Sequence, residues 1–179
     1  MKFAWFLVIA LALALLPTPA AAQKSSQPVD ANSCGPETAE FTVDREDTQP
    51  APTDPEPGKA LAFVVDDYKG ALEIAGIPTI RIGLDGNWVA ANRGKSYIYF
   101  SVEPGEHRLC AAGQRTDKTL ANQRTQVHFT AEPGKLYYFR IATLDHAGAE
   151  STLEFHPLEP QEAKYLIADS NHTVFRPRK

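Results

Sequence analysis

From Ile80 onward the chain alternates apolar and polar residues with a period of two, and turn residues interrupt that alternation at short intervals. A period of two places successive side chains on opposite faces of a strand, which commits such a segment to a half-buried sheet and excludes an amphipathic helix. Ile80, Ile82 and Leu84 alternate with Arg81 and Gly83, meet Asp85-Gly86 and continue into Trp88-Val89-Ala90-Ala91. Asp-Gly between two such runs predicts a hairpin. Ile98, Phe100 and Val102 alternate with Tyr97, Tyr99 and Ser101, giving one core face and one face of half-wet phenols. His107, Leu109 and Ala111 oppose Arg108, Cys110 and Ala112 in the next strand. Val127 and Phe129 are expected to pair with Tyr137, Phe139 and Ile141 across Glu132-Pro133-Gly134, and Leu153 with Phe155 marks a last strand.

Ala60 to Val65 is an unbroken apolar run whose length favours a strand. Phe41-Thr42-Val43, between Glu40 and Asp44, predicts a short edge strand over 40–44. Glu-Pro-Gly recurs at Glu56, Glu103 and Glu132, where Pro presets φ and Gly supplies the positive φ of a type II turn. Its unequal spacing argues against tandem repeats. Gly113 to Thr125 reads as a long surface connection, and Pro160 opens a short helix within 159–168. The expected fold is all-β, a seven- to eight-stranded antiparallel β-sandwich with a short C-terminal helix.

With 179 residues the chain is one domain plus ends, and 18 Lys+Arg against 22 Asp+Glu exclude a basic nucleic-acid binder. Met1 to Gln23 has one cation at Lys2, an apolar run from Phe3 to Leu16, Pro17, Pro19 and then Ala20-Ala21-Ala22. That is the pattern of a secretory signal peptide cut near Ala22/Gln23, and the run is short of the roughly 20 residues a membrane span needs. The expected location is therefore periplasmic or secreted, with no membrane span after cleavage. The organisation expected is a signal peptide over 1–22, a Pro-rich lead over 23–57, a sandwich over 58–157, and a helix and tail over 158–179. Two cysteines in an exported chain predict one bridge, Cys34 to Cys110, tying the lead to the sheet.

The segments Pro-Gly-Lys-Ala-Leu-Ala-Phe, Ile-Arg-Ile-Gly-Leu-Asp-Gly, Ser-Tyr-Ile-Tyr-Phe-Ser-Val-Glu-Pro-Gly-Glu-His and Ala-Glu-Pro-Gly-Lys-Leu-Tyr-Tyr-Phe-Arg-Ile follow in this order between residues 56 and 155. Together they resemble a bacterial envelope family catalogued as domain of unknown function 2846, and the hairpin and Pro-Gly pattern is similar to PEGA domains. The resemblance implies an exported sandwich of transthyretin-like or carboxypeptidase-regulatory-like build without established catalysis. It supplies no functional residues. Members often carry a lipoprotein signal, whereas this chain has a long Pro-rich lead and the cysteine pair, so anchoring does not carry over.

No metal or nucleophile motif is present. His107, His128, His146, His156 and His172 form neither H-x-H nor H-E-x-x-H, and there is no C-x-x-C. His107 is expected to offer a nitrogen to the turn backbone, and His128 to face solvent. Ser96 or Ser101 with Asp145 or Asp85 has no nucleophile elbow around it. Asp66-Asp67 with Asp85 and Asn87 would make a calcium site only if their loops share one end of the sandwich. Asn171-His172-Thr173 has glycosylation spacing, relevant only to a eukaryotic secretory route. Trp88, Tyr97, Tyr99 and Tyr138 lie at outward strand positions and form the candidate partner-binding face, for an envelope protein or a glycan, unless a second layer or the helix covers them. The expectation is a non-enzymatic binding or structural module of the cell envelope without a cofactor. The alternatives are a hydrolase or metal enzyme using loop His and Asp, and a glycan binder.

Overall fold

The structure, a computed structural model, describes residues 34–46, 51–68, 77–116, 120–146 and 151–178. The expected signal peptide and the part of the lead before Cys34 lie outside the described residues. Ten strands and one helix follow in the order β1 (Phe41–Glu46), β2 (Ala60–Asp66), β3 (Ile80–Leu84), β4 (Asn87–Asn92), β5 (Ser96–Val102), β6 (Gly105–Gly113), β7 (Arg124–Ala131), β8 (Leu136–Leu144), β9 (Thr152–Pro157), α1 (Pro160–Ala168) and β10 (Asn171–Pro177). They form a six-stranded sheet, β1-β10-β5-β2-β8-β9, and a four-stranded sheet, β4-β3-β6-β7. The sandwich thus has ten strands, not seven or eight, because residues 41–46 and 171–177 pair with each other along their whole length and join the larger sheet. The smaller sheet is antiparallel, but β10–β5 and β2–β8 are parallel pairs, so the larger one is mixed.

The alternation assigns the faces. Ala60, Ala62, Val64, Ile98, Val102, Phe139 and Ile141 of the larger sheet meet Ile80, Ile82, Leu109 and Ala111 of the smaller one in the interior. Asp85 and Gly86, with φ of 50° and 85°, make the tight β3–β4 hairpin that Asp-Gly favours. The Glu-Pro-Gly turns do something else: those at Glu103 and Glu132 carry the chain from one sheet to the other. Hence β7 pairs with β6, and the expected pairing of Val127 and Phe129 with β8 does not occur. At Gly58 and Gly134 φ is 80° and 76°, and Lys59 and Lys135 N–H close the turns onto the carbonyls of Glu56 and Glu132. At the third turn the Glu103 carbonyl is instead taken by the His107 ring.

Two covers complete the fold. On the outer face of the small sheet, Cys34 is bonded to Cys110 with a Cα–Cα distance of 5.5 Å, and residues 34–39 lie across that face. Arg81, fully buried, donates to the carbonyls of Glu37 (3.0 Å), Ala39 (2.7 Å) and Gly113 (2.8 Å) and stacks 4.6 Å over the Trp88 ring, whose Nε1 donates to Pro36. Burial, then the neighbouring Arg124, pull its pKa below the usual guanidinium value, against Glu40 and Glu37. The connection after β6 is no mere surface loop. Leu120 is wholly buried, and the Gln114 side-chain carbonyl accepts a hydrogen bond from the Phe41 N–H.

Candidate functional site

The second cover is α1, and it leaves a cleft. Because β2 is sandwiched on both faces, its odd residues Leu61, Phe63 and Val65 point away from the interior, alongside Tyr97 of β5 and Leu136 and Tyr138 of β8. Helix α1 begins with Pro at its first turn and lies against this layer, yet Ala163 is its only buried residue, with Leu166 and Ile167 half-buried. It is held at its ends: Leu158 N–H donates to the Tyr138 carbonyl (2.8 Å), and Asp169 pairs with Lys95 (2.9 Å). Beside this lightly seated helix is an apolar cleft of about 330 Å³. Its floor is Phe63 stacked on Tyr138 (ring centroids 5.1 Å, 21° between planes) with Leu136. Ile167, Ala168 and Lys164 form the helix wall, and residues 51–53 form the opposite one.

Under Phe63 the main chain is fully laddered, since β2 pairs with β5 on one side and β8 on the other. Burial raises the pKa of Tyr97 and Tyr138 above the ordinary phenol value, so both stay neutral. What the cleft offers is therefore carbon surface, neutral hydroxyls and one cation, a combination suited to holding an apolar ligand and lacking any general base.

Of the four aromatics expected to share an outward face, Tyr97, Tyr99 and Tyr138 lie together on the outer side of the six-stranded sheet, and Trp88 does not join them. Trp88 belongs to the other sheet and packs against Cys34, Cys110 and Ala112. Tyr97 and Tyr138 are buried beneath the helix layer, and Tyr99 is half-buried and stacked on His172 (5.0 Å). The physical reason is the second layer: phenols that alternate outward become inner residues once a helix covers them. A strip of free ring faces for stacking sugars is thus not presented by these four residues.

Asp85 and the Asp66-Asp67 pair sit at opposite ends of β4. Asp85 is in the hairpin before Asn87, while Asp66 accepts from the Gly94 N–H (2.9 Å), just after Asn92. Asp66 also accepts from Tyr68 N–H (3.1 Å), and burial, against these two bonds, lifts its pKa to about 7. Asp67 is paired with Arg140 (2.7 Å). The conditional calcium site is therefore not assembled, and among the described residues no three His, Cys, Asp or Glu are grouped to hold a metal.

His107 behaves as the turn position implies. Nδ1 lies 2.6 Å from Asp85 and Nε2 2.7 Å from the Glu103 carbonyl, so both nitrogens face acceptors and both would donate. Burial opposes protonation, but the Asp85 hydrogen bond and the Glu103 carbonyl outweigh it, and the pKa stands above the ordinary imidazole value. A ring committed on both sides has no nitrogen left to take a proton from a nucleophile. The serines are elsewhere: Ser96 accepts from Arg93 N–H near the Asp66 end, and Asp145 is occupied by Ser151 (2.7 Å) and the Tyr68 hydroxyl (3.0 Å). His128 is exposed, His146 contacts Thr152, and His156 pairs with Glu154. Thr173 of the Asn-His-Thr triplet is fully buried, its hydroxyl shared between Asn92 and the Tyr97 carbonyl.

No membrane-crossing helix is found among the described residues: none is both long and apolar enough. No family model, no curated protein and no solved structure matches this chain.

Proposed function

We propose that this protein is an exported, non-catalytic ligand-binding module of the bacterial cell envelope, and that the cleft between α1 and the outer face of the six-stranded sheet is its binding site. The observation that carries this reading is the cleft itself: about 330 Å³, within the size range of small-ligand sites, lined by aromatic and aliphatic side chains on a rigid sheet floor. The buried cystine at Cys34 and Cys110 supports an oxidising compartment, and the signal-like Met1 to Gln23 supports export to it. The resemblance to the envelope family 2846, with its transthyretin-like build, agrees at the level of two packed sheets. A protein surface or glycan laid across these rings is not favoured, since Tyr97 is buried and Tyr138, nearly so, borders the cleft rather than an open face. A hydrolytic role is not favoured either, since His107 has both nitrogens engaged.

Titration of the full chain with an uncharged naphthylamine fluorophore, comparing wild type with Ala168→Trp, tests the reading. Ala168 is an exposed residue on the cleft wall, so the indole fills the site without entering the core. Saturable fluorescence enhancement in the wild type, lost in Ala168→Trp, is expected. Equal enhancement in both proteins would remove the cleft as the site. Separately, amino-terminal sequencing of the protein from fractionated cells should begin at Gln23, and retention of Met1 in membranes would overturn the export reading.

A further inference from the structure

Resting on the cleft as the binding site, we infer that its ligand is a single-chain acidic amphiphile, an alkanoate whose hydrocarbon lies on Phe63, Leu136 and Tyr138 and whose carboxylate meets Lys164.

Three features select this chemistry. First, Phe63 stands on β2, a strand paired on both edges, and the Tyr138 carbonyl of β8 already accepts the Leu158 N–H, so a peptide laid over the floor finds no long open strand edge to read it. An occupant that needs no hydrogen bonds along its length, a hydrocarbon chain, loses nothing there. Second, the volume suits one short chain and is far below that of a folded segment. Third, the only charged residue among those lining the cleft is a cation: Lys164 stands on the helix wall, exposed, with no ion-pair partner among the described residues, and none of the lining residues is acidic. A lysine so placed lays its methylenes along the apolar wall and keeps its ammonium at the wet mouth. Lys95, just before β5, is by contrast committed to Asp169 at the C-terminal end of α1, and Lys59 to Glu56 and Glu103. An anionic head is therefore attracted, a cationic head repelled, and a neutral head gains no charge pairing.

The test titrates the full chain with decanoate, decanol and decylammonium by isothermal calorimetry, below the micellar range, in wild type, Lys164→Gln, Lys164→Glu and Ala168→Trp. The wild type is expected to bind decanoate about threefold to fivefold more tightly than decanol, the scale of one exposed ion pair, and decylammonium most weakly. Lys164→Gln should abolish the difference between decanoate and decanol, and Lys164→Glu should reverse the order of the charged pair. Ala168→Trp should weaken all three. If wild type binds decanoate and decanol equally, or if its preference survives in Lys164→Gln, the acidic head is refuted while the cleft stands. If no ligand binds, or Ala168→Trp changes none of them, the cleft reading falls and this inference with it.

Discussion

Asp66 should make the protein more stable as the solution is acidified, the reverse of the usual behaviour of a carboxylate. It is 1% exposed at the end of β2, and its hydrogen-bond partners among the described residues are the N–H groups of Tyr68 and Gly94. Desolvation outweighs them and lifts the pKa from 3.8 to about 7. The folded state therefore holds the proton more tightly than the unfolded chain between those values, and stability falls as pH rises through that window. The full span corresponds to about 4 kcal/mol, of which about half or somewhat more falls between pH 5 and pH 8. Asp66→Asn removes the titration while keeping the shape and a carbonyl to accept one N–H. The assay is urea unfolding of both proteins at pH 5, 6, 7 and 8, with the difference between them as the readout, because other titrating groups cancel in it. Wild type should lose about 2–3 kcal/mol relative to Asp66→Asn over that range. Parallel stability curves would refute the argument that burial dominates at this carboxyl.

Cys34→Ser should cost about 4 kcal/mol by the chain-entropy argument for a bridge spanning 76 residues, read as a lower melting temperature under oxidising conditions, and an unchanged melt would contradict the role given to the bridge. Gly83→Ala should destabilise by about 1–3 kcal/mol, because a Cβ there would stand 2.1 Å from the Cys34 carbonyl; faster amide exchange over residues 34–39 is the accompanying sign, and a neutral substitution would mean the cover does not lie as described. Asp85→Asn should lower the His107 pKa seen by NMR. The raised His107 value stabilises fully below pH 6.5, and that stability is lost as pH rises through the folded pKa. The lowered Asp85 value contributes above its ordinary range and is lost on strong acidification. An unmoved His107 titration would remove the pair.

Much of the architecture is written in the alternation. It assigned Ile98, Phe100 and Val102 to the interior and Tyr97 and Tyr99 to the other face, as found, because a pleated strand leaves no other choice. Alternation fixes a face but not a partner, which is why Val127 and Phe129 were expected beside β8 and lie beside β6. Whether a Pro-Gly turn folds a strand back or sends it to the second sheet depends on non-local pairing. Residues 171–177 looked like a tail, since β10 owes its order to β1, far away in sequence. Arg81 reads as a wet residue because it alternates with Ile80 and Ile82. One clue to its burial was available: it shares a face with Cys110, and a bridge to Cys34 must bring chain over that face. The cleft had no such signal. It arises from how a helix with one buried alanine seats on Phe63 and Tyr138, a matter of packing rather than pattern.

The cleft is the claim on which the functional account turns, and methyl NMR of the full chain titrated with decanoate examines it most directly. Saturable shifts should appear at Leu136 and Ile167, on the floor and helix wall, while Leu109 and Ile82 between the sheets stay fixed. Shifts absent from Leu136 and Ile167, or shared by the interior methyls, would contradict a ligand site beneath α1.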